Sequence, residues 1–147
     1  MYEKELKFSI PHGHMTIAMD EFFPASDARI RKLFRIMRQD WDNDVPGLTK
    51  EIKRFILSKK IELAEKKKFS GVKFFEWHQK KCDLERMVET GKQPSGVLIR
   101  KSDMQTLKKK YREAKGYESA YRKDAEGCER TIVRLEKNLE LINRLEE

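Results

Sequence analysis

Residues 104–142 read MQTLKKKYREAKGYESAYRKDAEGCERTIVRLEKNLELI, and one register runs through them. Met104, Leu107, Tyr111, Ala114, Glu118, Tyr121, Ala125, Cys128, Ile132, Leu135, Leu139 and Ile142 follow one another at spacings of three and four. Only Glu118 interrupts the apolar series, and the stretch contains no proline. Such spacing keeps one seam on one side of a helix. The capping-box pair Ser102 and Gln105 marks the start, so a helix is expected over 102–147, roughly 65 Å long at about 1.5 Å per residue. A small body cannot cover that length. Part of this helix is therefore expected to act as an arm or a dimerisation element.

Upstream, Gly91-Lys92-Gln93-Pro94-Ser95-Gly96 is the clearest linker in the chain. The short apolar run Val97-Leu98-Ile99 follows it, so 91–101 reads as a linker or a short strand that pairs with a hairpin. Three helices are expected before it, over about 26–41, 49–69 and 72–90. Ser26 or Asp27 caps the first, and Ile30, Leu33, Phe34, Met37 and Trp41 form its apolar stripe. The segment Asp42 to Leu48, with Pro46-Gly47, is expected to stop it. Ile52, Phe55, Ile56 and Leu63 point inward from the second helix, and Ser70-Gly71 marks a break or kink. Phe74, Trp77, Leu84 and Val88 share one side of the third.

At the N-terminal end, Leu6, Phe8 and Ile10 alternate with polar residues, as do Met15, Ile17 and Met19 beyond Pro11-His12-Gly13-His14. This reads as a β-hairpin over 4–20 with one apolar face. All eight phenylalanines and both tryptophans precede His78. Large apolar side chains dominate burial, so the compact body is expected over 1–90. The fold class is α+β, mainly α: an N-terminal hairpin packed on a helical body, followed by a long coiled-coil-like helix.

Charged residues make up 39% of the chain and the net charge is +8, which favours polyanionic partners. No run approaches the ~18 apolar residues of a membrane span, so no membrane partner is expected. The start MYEKELKFSI lacks the apolar core of a secretory signal. Two distant cysteines, Cys82 and Cys128, do not make a disulfide framework, and a reducing, cytoplasmic location is expected.

The candidate binding residues are basic. Arg31, Arg35 and Arg38 follow one another along one flank of the first helix. Lys59, Lys60, Lys66, Lys67 and Lys68 crowd the second helix, and Lys108, Lys109 and Lys110 the last. Lysine and arginine in such density neutralise phosphates without reading sequence. The bland alternative is a solvated surface. Residues 100–123 carry net +6 and residues 124–147 net −3, a division that suits antiparallel self-association. Ile132, Leu135, Leu139 and Ile142 are the expected helix-pairing residues of a homodimer.

Three other constellations carry less. Asp40, Asp42, Asp44 and Glu51 fall at calcium-loop positions, but Val45 stands where the loop needs glycine. His12, His14, His78 and Cys82 have donor chemistry for zinc without a familiar spacing. No glycine-rich phosphate loop or nucleophile elbow occurs, so no metal, cofactor or catalytic residue is expected. The sequence thus points to a non-enzymatic protein that docks on a nucleic acid or a nucleic-acid-binding protein complex. An inhibitor of a host nuclease, of the anti-CRISPR kind carried by phages or mobile elements, has this character. The alternative is a coiled-coil adaptor that binds a protein helix.

Overall fold

The computed structural model describes residues 4–147 and contains β1 (Glu5–Ile10), β2 (Gly13–Ala18), α1 (Met19–Phe22), α2 (Asp27–Gln39), α3 (Val45–Thr90) and α4 (Lys101–Glu146). The fold is α+β and mainly α, with the N-terminal hairpin packed against helices and a long helix at the end. The chain divides into two units, one of Met1–Ala64 with Glu129–Glu147 and one of Glu65–Cys128. Each long helix contributes one part to each unit.

In the first unit β1 and β2 pair antiparallel, with Leu6 opposite Ile17 and Phe8 opposite Met15. Leu6 and Phe8 are buried while Glu5 and Lys7 are exposed, the alternation that a half-covered strand requires. The strand ends at Ala18, short of the expected hairpin limit. Met19 instead opens α1, and its N–H donates to the Lys4 carbonyl at 2.8 Å.

Helix α2 starts at the expected cap, where the Ser26 hydroxyl accepts the Arg29 N–H at 3.3 Å. It buries Ile30, Leu33, Phe34 and Met37 and stops at Gln39, two residues before the expected end at Trp41. Asn43 explains the early stop. Its Nδ2 donates to the Met37 carbonyl at 2.9 Å and to the Ser9 carbonyl at 2.7 Å, and its Oδ1 accepts the Ser9 N–H at 2.7 Å. A carbonyl at the helix end is thereby satisfied, and the chain turns away towards the hairpin. Trp41 is left outside the stripe it was expected to extend.

Pro46-Gly47 does not precede a later helix start but lies inside the first turn of α3. The Gly47 N–H donates to Asp44 Oδ1 at 3.1 Å, so Asp44 is the cap. Proline fits there because N–H groups of the first turn have no helical partner. A methyl at Gly47 would overlap the Asp44 carboxylate.

The largest correction concerns α4. Its terminal part does not project as an arm but packs into the core of the first unit. Leu135, Leu141 and Ile142 are buried in one cluster with Leu6, Phe8, Phe34, Phe55 and Ile56, and Leu139 packs on its edge. Asn138 is buried too, accepting the Ala25 N–H at 2.8 Å and donating to the Ala25 carbonyl at 2.8 Å. Lys53 lies 2.5 Å from Glu146 and Lys60 3.4 Å from Glu136, so α3 and α4 run antiparallel here. The physical reason is apolar area: each large side chain fully buried contributes about 1.5–3 kcal/mol, and the hairpin with α2 offers a face that α4 completes. All twelve residues of the seam are buried or half-buried within the chain. Leu135, Leu139 and Ile142, expected to pair with a second copy, pack against their own chain, and Ile132 is half-buried.

In the second unit α3 passes through Ser70-Gly71 without the expected break. Ser70 is buried and its hydroxyl donates to the Asp124 carboxylate. Glycine costs a helix only about 1 kcal/mol relative to alanine, too little to stop one held by its neighbour. Trp77 stacks on Tyr117 with ring centroids 4.6 Å apart. The run 97–99 does not join the hairpin. It folds back on its own linker, where Lys92 pairs with Leu98 and the Ile99 N–H donates to the Gly91 carbonyl at 2.8 Å. Gly91 and Gly96 permit this turn with φ of +67° and +89°. Among the described residues no helix is long and apolar enough to cross a membrane.

Candidate functional site

Charge is divided unequally between the units. The second holds 17 basic and 10 acidic residues, net +7, and the first holds 16 basic and 15 acidic, net +1. Nearly the whole charge of the protein thus sits on fewer than half of its residues.

The structure sorts the candidate lysines by their partners. Lys59 lies 3.7 Å from Asp20 and 4.0 Å from Glu62, Lys60 lies near Glu136, and Lys66 lies 3.6 Å from Asp124. These cations are committed inside the chain. Lys67 and Lys68 are exposed at the start of the second unit's share of α3. Lys108, Lys109 and Lys110 are exposed, and among the described residues none has a carboxylate at ion-pair distance.

Three consecutive residues spread around a helix, so Lys108, Lys109 and Lys110 do not form one patch. Helical spacing assembles a different one. Lys101, Lys108, Arg112, Lys115 and Arg122 recur at seven, four, three and seven residues, which places them along one side of α4. All five are exposed. Among the described residues none of the five has a carboxylate at ion-pair distance. The ridge extends for roughly 30 Å at about 1.5 Å per residue. Reading sequence by local density missed Lys101, Arg112, Lys115 and Arg122; the same periodicity that exposed the seam would have found them.

The arginine stripe of the first unit is partly structural. Arg31, Arg35 and Arg38 line a cavity of about 400 Å³ together with Phe34, Gln39 and Leu145. Arg38 donates to the Leu145 carbonyl at 2.5 Å and lies 5.6 Å over the Phe34 ring. It holds one carbonyl of the last turn of α4, where a cation also meets the negative end of the helix dipole. Arg31 and Arg35 are exposed beside it.

Glu118, the one break in the seam, is buried with partners. It accepts from Lys81 at 3.0 Å, and one of its oxygens lies 2.8 Å from His78 Nδ1. Burial opposes its ionisation, but the hydrogen bonds from Lys81 and His78 together prevail and hold its carboxyl below the usual range. The same hydrogen bond pushes the Lys81 ammonium up. On the other side of the ring, His78 Nε2 lies 3.7 Å from Cys82 Sγ. His12 and His14 belong to the hairpin of the first unit and are exposed, whereas His78 and Cys82 belong to the second. Among the described residues no group of three or more His, Cys, Asp or Glu is arranged to hold a metal ion.

Two carboxylates of the acidic segment between α2 and α3 support the backbone, each through one oxygen. Asp40 accepts the Asp42 N–H at 2.8 Å, and Asp44 caps α3. Comparison with protein-family models, with curated proteins and with solved structures finds no match to this chain.

Proposed function

We propose that this protein is a non-enzymatic binder of polyanions, and that the basic ridge of α4 in the second unit is where nucleic acid docks. The observation that carries the reading is the unpaired ridge of Lys101, Lys108, Arg112, Lys115 and Arg122 on a unit of net +7. Exposed cations without internal partners are available to replace condensed counterions on a phosphate backbone, and their release drives binding. No base-reading module accompanies them, so affinity rests on phosphates rather than on sequence. Such a surface also suits an inhibitor that fills the channel in which a cytoplasmic nuclease holds its nucleic acid, of the anti-CRISPR kind expected from composition.

A second reading has one observation behind it. Phe69, Val72 and Phe75 of the second unit are each more than half exposed, at 57%, 52% and 61%. An apolar face of this kind is what an adaptor would offer to a protein helix. Salt separates the two. Affinity for a duplex oligonucleotide is expected to fall steeply with salt, and changing Lys108, Arg112 and Lys115 to Glu should flatten the slope by about 0.9 per lost phosphate contact. Binding that ignores both salt and the triple substitution would leave the adaptor reading standing instead.

A further inference from the structure

Trp41 is completely exposed, at 100% of its accessible surface. Scattered exposed apolar residues need no explanation, but a tryptophan is the side chain most often found at the energetic centre of interfaces. This one stands on a fixed support. The next residue but one, Asn43, ties the loop to Ser9 and Met37 through three hydrogen bonds of 2.7–2.9 Å. A side chain displayed on an ordered loop loses less entropy when it binds.

The surroundings specify the chemistry. Directly after Trp41, a cleft of about 700 Å³ opens between the hairpin and the start of α3. Its walls include the carboxylates of Asp42, Asp44 and Glu51, against one lysine, Lys7, and the ring of His14. This acidic corner is an exception in a chain of net +8. A phosphate backbone would be repelled here. A guanidinium fits: it is planar, stacks on indole faces and engages carboxylates through two parallel hydrogen bonds. An ammonium shares the charge but neither the planar stacking nor the bidentate geometry. The cleft volume falls in the usual range of ligand pockets and leaves room for a guanidinium with its stem.

We propose that Trp41 and the cleft lined by Asp42, Asp44 and Glu51 form a docking site for an arginine-bearing segment of a protein surface. The site lies wholly in the first unit, the basic ridge belongs to the second, and the proposed docking does not depend on it. A protein with both surfaces can hold nucleic acid through one and a basic protein face through the other.

The test uses the full chain, a seven-residue peptide of alternating glycine and arginine, its lysine counterpart, and a single-stranded oligonucleotide. The indole N–H resonance of Trp41 reports binding, with Trp77 as internal reference. The arginine peptide should shift the Trp41 signal saturably and bind more tightly than the lysine peptide. Trp41→Ala, followed by fluorescence anisotropy of a labelled peptide, should weaken it by at least about tenfold, the scale on which interface tryptophans act. The double variant Asp42→Asn with Glu51→Gln should weaken it similarly. Neither set touches the buried cluster, so melting temperature should hold. Equal peptide binding by wild type and Trp41→Ala overturns the proposal, as does the absence of a saturable shift. A Trp41 shift produced by the oligonucleotide and not by the peptide would overturn it too, showing a base-stacking residue.

Discussion

Among the described residues, 6–56 and 135–142 bury a fifteen-residue apolar cluster that lies entirely in the first unit, whereas the second buries only Ala114 and Cys128 among its apolar residues. The second unit instead holds α3 to α4 with half-buried rings and polar links, namely Trp77 on Tyr117, Ser70 to Asp124, and His78 with Lys81 on Glu118. It also carries almost all the net charge. One unit supplies the folding energy and the other the electrostatic field. The difference teaches how a long helix can serve both: its last three turns anchor it in a core, and the charged part need not build one.

Substitutions can break this comparison, beginning with the largest effect. Leu135→Asp places an unpaired carboxylate in the core and should cost at least about 3 kcal/mol, enough to unfold the first unit. Leu107→Asp, in the half-buried seam of the second unit, should cost markedly less. Urea denaturation followed by circular dichroism checks both, and equal costs would show that the second unit has a core of its own.

Asn138→Ala removes the partner of two buried backbone groups of Ala25 and should cost about 2–3 kcal/mol in the same assay. A cost near zero would mean that water replaces the side chain and that this end of α4 is loosely held.

The smallest effect belongs to Glu118 and depends on pH. Its folded carboxyl is lowered relative to the unfolded chain, so its contribution is present above the ordinary carboxylate range and is lost as pH falls through the lowered value. Lys81 is raised, so its contribution is present below the ordinary lysine range and is lost as pH rises through the raised value. Glu118→Gln should therefore be less stable than wild type by about 1–2 kcal/mol near neutral pH, with the gap closing in acid. A gap that stays constant down to strongly acidic pH would remove the ionised carboxylate from the second unit's structure.

Much of the fold was legible because burial leaves a period. The two-residue alternation around Pro11-His12 located the hairpin, and the spacing of Ile30, Leu33, Phe34 and Met37 located α2 with its Ser26 cap. The seam of α4 was legible as well, but its partner was not. Periodicity shows that a face is covered and is silent on what covers it, so Leu135 and Ile142 read equally well as a dimer interface. Trp41 misled because its spacing fits the stripe, while the distant Asn43–Ser9 hydrogen bonds that end α2 have no local signature. Local density of lysine pointed to Lys59, Lys60 and Lys66, which the fold neutralises with Asp20, Glu136 and Asp124. Ion pairing between distant residues is a property of the fold, and no run of charge in the sequence displays it.

The most direct measurement is a matched pair of charge reversals, one in each unit. Lys108, Arg112 and Lys115 are changed to Glu in one protein, and Arg31, Lys32 and Arg35 in the other, so that net charge falls equally. Both triples are exposed, and exposed charges contribute only about 0–1 kcal/mol each to stability, so both proteins should fold. Affinity for a duplex oligonucleotide is then measured by fluorescence anisotropy across a salt series. The ridge variant should lose affinity by orders of magnitude and flatten its salt slope by about 0.9 per lost contact, while the α2 variant stays close to wild type. Equal losses in the two variants, or a larger loss from the α2 triple, would contradict the assignment of binding to the second unit.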